Sequence, residues 1–127
     1  MMRIIIGFLL GYIFIGLTTV MTHQLLYARM VPSADAPPTE YLTVITATDT
    51  VLAILGGWLC ATVSRKARNA TLALVIVGEV SQVALALLLW GSVAHFYNFV
   101  NWLVYPFAVW LGASLGIWVG PNRYDSK

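Results

Sequence analysis

Charge is what this sequence has least of. Of its 127 residues only 9% are charged, against 60% hydrophobic. A water-soluble domain of this size has too much surface for its volume to hide so many apolar side chains. The net charge of +2 is small and scattered, which excludes the concentrated basic footprint of a nucleic-acid binder. Cysteine is scarcer still. Cys60 stands alone, so no internal disulfide can form, and it reads as a packing residue rather than a reactive thiol. There is no Gly-rich phosphate cradle, no Cys/His metal spacing, and no nucleophile beside a base. No enzymatic activity, metal or cofactor is therefore expected. The histidines, His23 and His95, count to depths ~10 Å apart, which argues against a shared metal or haem.

Long apolar runs are what is present. Mean hydropathy is +0.83, and four stretches reach the ~20 residues needed to cross a bilayer. They are residues 4–23, 41–63, 70–91 and 99–119. The expected fold is all-α: a single membrane domain, an integral bundle of four transmembrane helices in contact with the lipid bilayer. Stretch 32–39, "PSADAPPT", breaks the first connection with its prolines. "SRKARN" makes the second, its cations complementing the carbonyl end of helix 2, and Asn69 is expected to cap helix 3. The third break is placed in "GSVAHFYN", whose aromatics suit an interface. The first stretch is expected to remain as a span, because no small-x-small cleavage signal follows it closely.

Six cations (Arg3, Arg65, Lys66, Arg68, Arg123 and Lys127) fall on one side of this threading and Arg29 on the other. By the positive-inside rule both termini are expected in the cytoplasm. The end of the second stretch, "GGWLCATVSRKAR", resembles the second-helix terminus of small bacterial four-helix membrane proteins without assigned activity. That resemblance implies a bacterial inner-membrane setting. Small four-helix exporters carry a membrane glutamate in their first helix, whereas helix 1 here has no acid. The Asn- and Arg-bearing Gly-rich pattern of small fluoride channels does not occur either.

Helices in lipid associate through small residues and polar contacts. Gly7 and Gly11 in helix 1, Gly56 and Gly57 in helix 2, and Gly112, Gly116 and Gly120 in helix 4 are the expected packing glycines. The helix 4 set is expected to face the bundle rather than a separate protein. Pro106 is expected to kink helix 4.

Few polar residues interrupt these spans, and helix rise assigns each a depth. Glu79 lies 11 residues past Arg68, ~16 Å in and near the midplane. Asp49 lies 16 residues before Arg65, ~24 Å from the same line. Gln82 counts to ~21 Å and Thr18 and Thr19 to ~23 Å, with Ser114 near the level of Glu79. A polar seam of Glu79, Asp49, Gln82, Thr18, Thr19 and Ser114 is therefore expected inside the bundle. Lacking a basic partner in the chain, both acids are expected to hold their protons. Intramembrane acids are expensive to insert and mark function by default. Two roles follow: an accessory or structural subunit of a larger membrane complex, or a small proton-coupled transporter or channel acting as a homo-oligomer with Glu79 titrating. Partners are then other membrane subunits or further copies of the chain.

Overall fold

The computed structural model describes residues 1–30, 39–64, 67–88 and 95–119, with backbone alone at 95, 96 and 119. These residues form four helices: α1 (Met2–Met30), α2 (Thr39–Val63), α3 (Ala67–Leu88) and α4 (His95–Val119). Each is long and apolar enough to cross a membrane, the pattern of a multi-pass membrane protein. A helix satisfies every backbone N–H and C=O within one segment, which lipid demands because it offers no hydrogen bonds. The threonines of α2 obey the same rule. Thr43, Thr46, Thr48 and Thr50 each donate to the carbonyl four residues back, at 2.7–2.9 Å.

α1 and α2 each begin two residues before their expected starts, and three other boundaries differ by more. α1 continues seven residues past His23 to Met30, because Gln24–Arg29 contains no breaker and Pro32 is the first one. α3 begins at Ala67, so Asn69 lies inside the first turn and is not its cap. The strong helix formers Ala67 and Arg68 start the helix three residues earlier. α4 begins at His95, taking in residues expected to form a turn. Pro106 sits within this helix and deprives the Trp102 carbonyl of its usual donor.

The bundle is organised around α2, which packs most extensively on α4 and then on α1. Its Gly56-Gly57 pair serves both neighbours. A Cβ at Gly56 would strike Ile15 of α1, and one at Gly57 would strike the Val109 backbone of α4. On α1, a Cβ at Gly7 would lie 2.7 Å from the Cys60 carbonyl oxygen, and one at Gly11 2.9 Å from that of Gly56. On α4, a Cβ at Gly112 would meet the Ile54 backbone, and one at Gly116 would lie 2.9 Å from the Trp58 carbonyl oxygen. Gly112 and Gly116 thus face α2; Gly120 lies outside the described residues. The pairings Ile54–Gly112 and Trp58–Gly116 show α2 and α4 running parallel. The pairings Gly7–Ser64 and Gly11–Gly56 show α1 and α2 antiparallel. Only small residues let backbones approach so closely, and dispersion then grows over the whole seam.

Leu74 of α3, Val109 of α4 and Cys60 of α2 are fully buried at the centre. The outer surface is largely apolar, with Leu9, Ile13, Val51, Ile76, Leu103 and Phe107 among its exposed side chains. α3 touches its neighbours less extensively than α2 does, and the backbones of α1 and α4 do not approach each other among the described residues. Space is left between those two helices, and the polar side chains collect there.

Candidate functional site

A cavity of about 350 Å³ lies between α1, α3 and α4, with Asp49 of α2 on its wall. α3 supplies Gly78, Ser81, Gln82, Leu85 and Ala86, the i, i+3, i+4, i+7, i+8 face of one helix. α1 contributes Tyr12, Gly16, Thr19 and His23. From α4 come Tyr97, Asn98, Asn101, Trp102 and Tyr105. The volume falls at the small end of the range for small-molecule sites, and an apolar wall with a few convergent polar groups is their usual chemistry.

The polar centre is a histidine–carboxylate pair. His23 Nε2 lies 2.9 Å from both Oδ1 and Oδ2 of Asp49. A carboxylate only accepts, so Nε2 carries the hydrogen and donates it. The Tyr97 hydroxyl donates to Asp49 Oδ2 at a longer 3.3 Å. Asn101, one turn further along α4, interacts with the same hydroxyl. Asp49 thus gathers donors from α1 and α4, joining two helices whose backbones remain apart. Its side chain is 19% exposed and that of His23 35%, so the pair is partly shielded and still reachable.

A second polar level lies nearer the middle of the bundle. Ser81 donates to the Val77 carbonyl at 2.8 Å. Its one hydrogen is thereby used, so at 2.9 Å the Tyr12 hydroxyl must donate to Ser81 Oγ. Tyr105 donates to the Leu74 carbonyl at 3.2 Å, and its hydroxyl occupies the space left by the missing side chain of Gly78. Gln82 Oε1 is buried and has no hydrogen-bond partner among the described residues. A buried carboxamide oxygen without a donor is rare enough to call for one from a ligand or a water.

No protein-family model, curated protein or solved structure matches this chain. The site therefore has to be read from its own geometry.

The expected seam is brought together only in part. Asp49, Gln82 and Thr19 meet at the cavity. Thr18 turns back to the carbonyls of Phe14 and Ile15, at 2.5 and 3.3 Å. Ser114 is exposed and donates to Trp110, at 2.8 Å. Glu79 does not line the cavity. It follows Gly78 by one residue, which turns it ~100° away from the lining face. Its neighbours on that side, Ile76, Val80 and Val83, are exposed, and no hydrogen bond or ion pair reaches it among the described residues. The expectation that Asp49 lacks a basic partner is corrected by His23, which the longer α1 carries inside the bundle. Tyr97, read from sequence as part of an interfacial belt, faces Asp49 instead. Tyr12, Ser81 and Tyr105 escaped sequence reading altogether. The one signal for them was a hydroxyl on an otherwise apolar helix face. His95 begins α4, and its side chain is not among those described.

Proposed function

We propose that this chain is a small multi-pass membrane protein that binds a small, membrane-soluble molecule between α1, α3 and α4. One observation carries the reading: the cavity has a preformed polar centre, His23–Asp49–Tyr97, at one level and the unpartnered Gln82 oxygen at another. Apolar walls suit the body of an amphipathic ligand, and the two polar levels orient it. The Lys and Arg distribution supports both termini on the cytoplasmic side, and the resemblance at the end of α2 supports a bacterial inner membrane.

Gly16 gives a clean test. It lines the cavity, and a Cβ there would meet nothing within 4 Å. Gly16→Phe should therefore bring a ring to the cavity wall without its Cβ pressing on a neighbouring helix. The full chain, purified in nanodiscs, is extracted with solvent and the bound small molecules are identified by mass spectrometry. A molecule retained by the parent and lost from Gly16→Phe is the expected result. Equal retention by both proteins, or none by either, counts against the reading.

Glu79 favours a second reading, in which the chain is also a subunit of a larger membrane assembly. A carboxyl group among outward-facing apolar side chains is expensive in lipid unless another chain supplies its partner. Purification in mild detergent tests this. Recovery of a lone monomer, unchanged in Glu79→Gln, rules the assembly out.

A further inference from the structure

The charges that face the cavity restrict what can enter it. Among the described lining residues, the groups with a formal charge are Asp49 and His23. α3 and α4 bring Ser81, Gln82, Asn98, Asn101 and the phenols Tyr97 and Tyr105, and α1 adds Tyr12. Neither lysine nor arginine is among them. Arg29 stands six residues past His23, ~9 Å further along α1, and is exposed. Arg3 and Arg68 lie at the other end of the bundle. Two further acids stand on elements packed against the pair, Glu40 at the start of α2 and Glu79 on the adjacent face of α3, and both are negative when ionised; Tyr41 of α2 adds a phenol beside Asp49. The His23–Asp49 pair sums to zero with His23 protonated and to −1 with His23 neutral. In neither state is the lining net positive, so a ligand anion finds no uncompensated positive charge there.

The remaining chemistry favours the opposite sign. Tyr12, Tyr97, Trp102 and Tyr105 present aromatic rings around the space, and such rings attract a cation through their quadrupoles. The free Gln82 oxygen and the Asp49 carboxylate are acceptors. We infer that the cavity binds a monovalent organic cation, an amine or quaternary ammonium with an apolar body, and that this cation competes with the proton on His23 for Asp49.

The competition follows from the short His23–Asp49 distance. One carboxylate in a low-dielectric setting neutralises one positive charge. A cation entering beside Asp49 therefore favours neutral His23, and the displaced proton leaves to solvent. Binding linkage is reciprocal, so acid weakens the cation by the factor with which the cation weakens the proton. This inference rests on the small-molecule reading above and specifies its ligand.

Three probes of one shape separate the possibilities: 4-phenylbutylamine, 4-phenylbutanol and 4-phenylbutyrate. Each is titrated calorimetrically into the full chain in nanodiscs of zwitterionic lipid, with empty nanodiscs subtracted. The amine is expected to bind at least about tenfold more tightly than the alcohol, and the butyrate not at all. Asp49→Asn should abolish that preference. Each binding event should release up to one proton, read from buffers of different ionisation enthalpy. The amine's affinity should fall by up to tenfold per pH unit as the pair takes up its proton, and His23→Gln should flatten that profile. Should Asp49→Asn fail to fold, the pH profile and proton release of the parent still decide. Equal binding of amine and alcohol, preference for the butyrate, or amine binding without proton release overturns the cation inference and leaves the small-molecule reading standing. No binding by any of the three counts against both.

Discussion

Replacing Gly112 by alanine adds one methyl group where α4 rests on the α2 backbone. The new Cβ would overlap the Ile54 carbonyl oxygen and lie 2.7 Å from its carbon and 2.9 Å from Ile54 Cα. Comfortable carbon contacts need ~3.5–4.0 Å, so the two helices must part by about 1 Å. A gap of that size forfeits a quarter to a half of each contact along the seam. Overpacking of this kind costs about 1–3 kcal/mol, and rigid backbone on the other side favours the upper part of that range. Alanine recovers ~1 kcal/mol of helix propensity, leaving a net loss of about 1–2 kcal/mol. Gly57→Ala, which meets the Val109 backbone, should behave alike. Gly16→Ala is the internal control. It meets nothing within 4 Å, keeps the propensity gain, and should stabilise by about 0.5–1 kcal/mol. Reversible unfolding in mixed micelles, followed by far-UV circular dichroism, measures all three. The reasoning is refuted if Gly112→Ala matches the parent, or if Gly16→Ala loses as much as the other two.

Other substitutions probe the core and the site by the same measurement. Leu74→Ala empties a fully buried position and should lower stability by about 2–5 kcal/mol. Tyr105→Phe removes the bond to the Leu74 carbonyl at a loss of about 0.5–1.5 kcal/mol. Gly78→Ala forces the Tyr105 ring aside and should lose about 1–3 kcal/mol. Because both act on the same hydroxyl, the double variant should lose less than the sum by at least ~0.5 kcal/mol, and strict additivity would contradict the contact. Asp49→Asn leaves His23 and Tyr97 facing a weaker acceptor. A loss of about 1–3 kcal/mol is expected, and an unchanged midpoint would show that the pair contributes nothing to folding.

Much of this architecture was legible from residue order because lipid leaves few alternatives. Long apolar runs must be helices, and glycines four apart must permit close approach. The depth count placed Asp49, Gln82 and Thr19 at similar levels, and these three share the cavity. Depth, however, is one coordinate of two. Glu79 and Gln82 are three residues apart and both belong to the expected seam, yet the lining face is centred on Gly78, Ser81 and Gln82, with Glu79 beyond its edge. Rotation about a helix axis is decided by which small residue admits which neighbour, here Gly78 admitting Tyr105, and no periodicity reveals that choice. His23 was hidden differently. Its count of ~30 Å against ~24 Å for Asp49 left ~6 Å between them. Treating His23 as the end of helix 1 moved it out to an interface. With α1 continuing to Met30, the same residue lies two turns inside, within reach of Asp49.

The most extensive contact in the bundle, α2 against α4, joins helices that are not neighbours in the chain. This has a consequence for biogenesis. α1 and α2 can pair once both have entered the membrane, through Gly7, Gly11 and Gly56. The other side of α2, with Gly57, must wait until Gly112 has been synthesised, 55 residues after Gly57 by position. At 5–20 residues per second that wait is about 3–11 s. During it the narrow face of α2 is a groove that any helix with small residues could occupy, including α2 or α4 of a second nascent copy. Early pairing of copies is thus a built-in hazard of this topology, and the timing of α4 delivery decides whether each chain completes its own bundle.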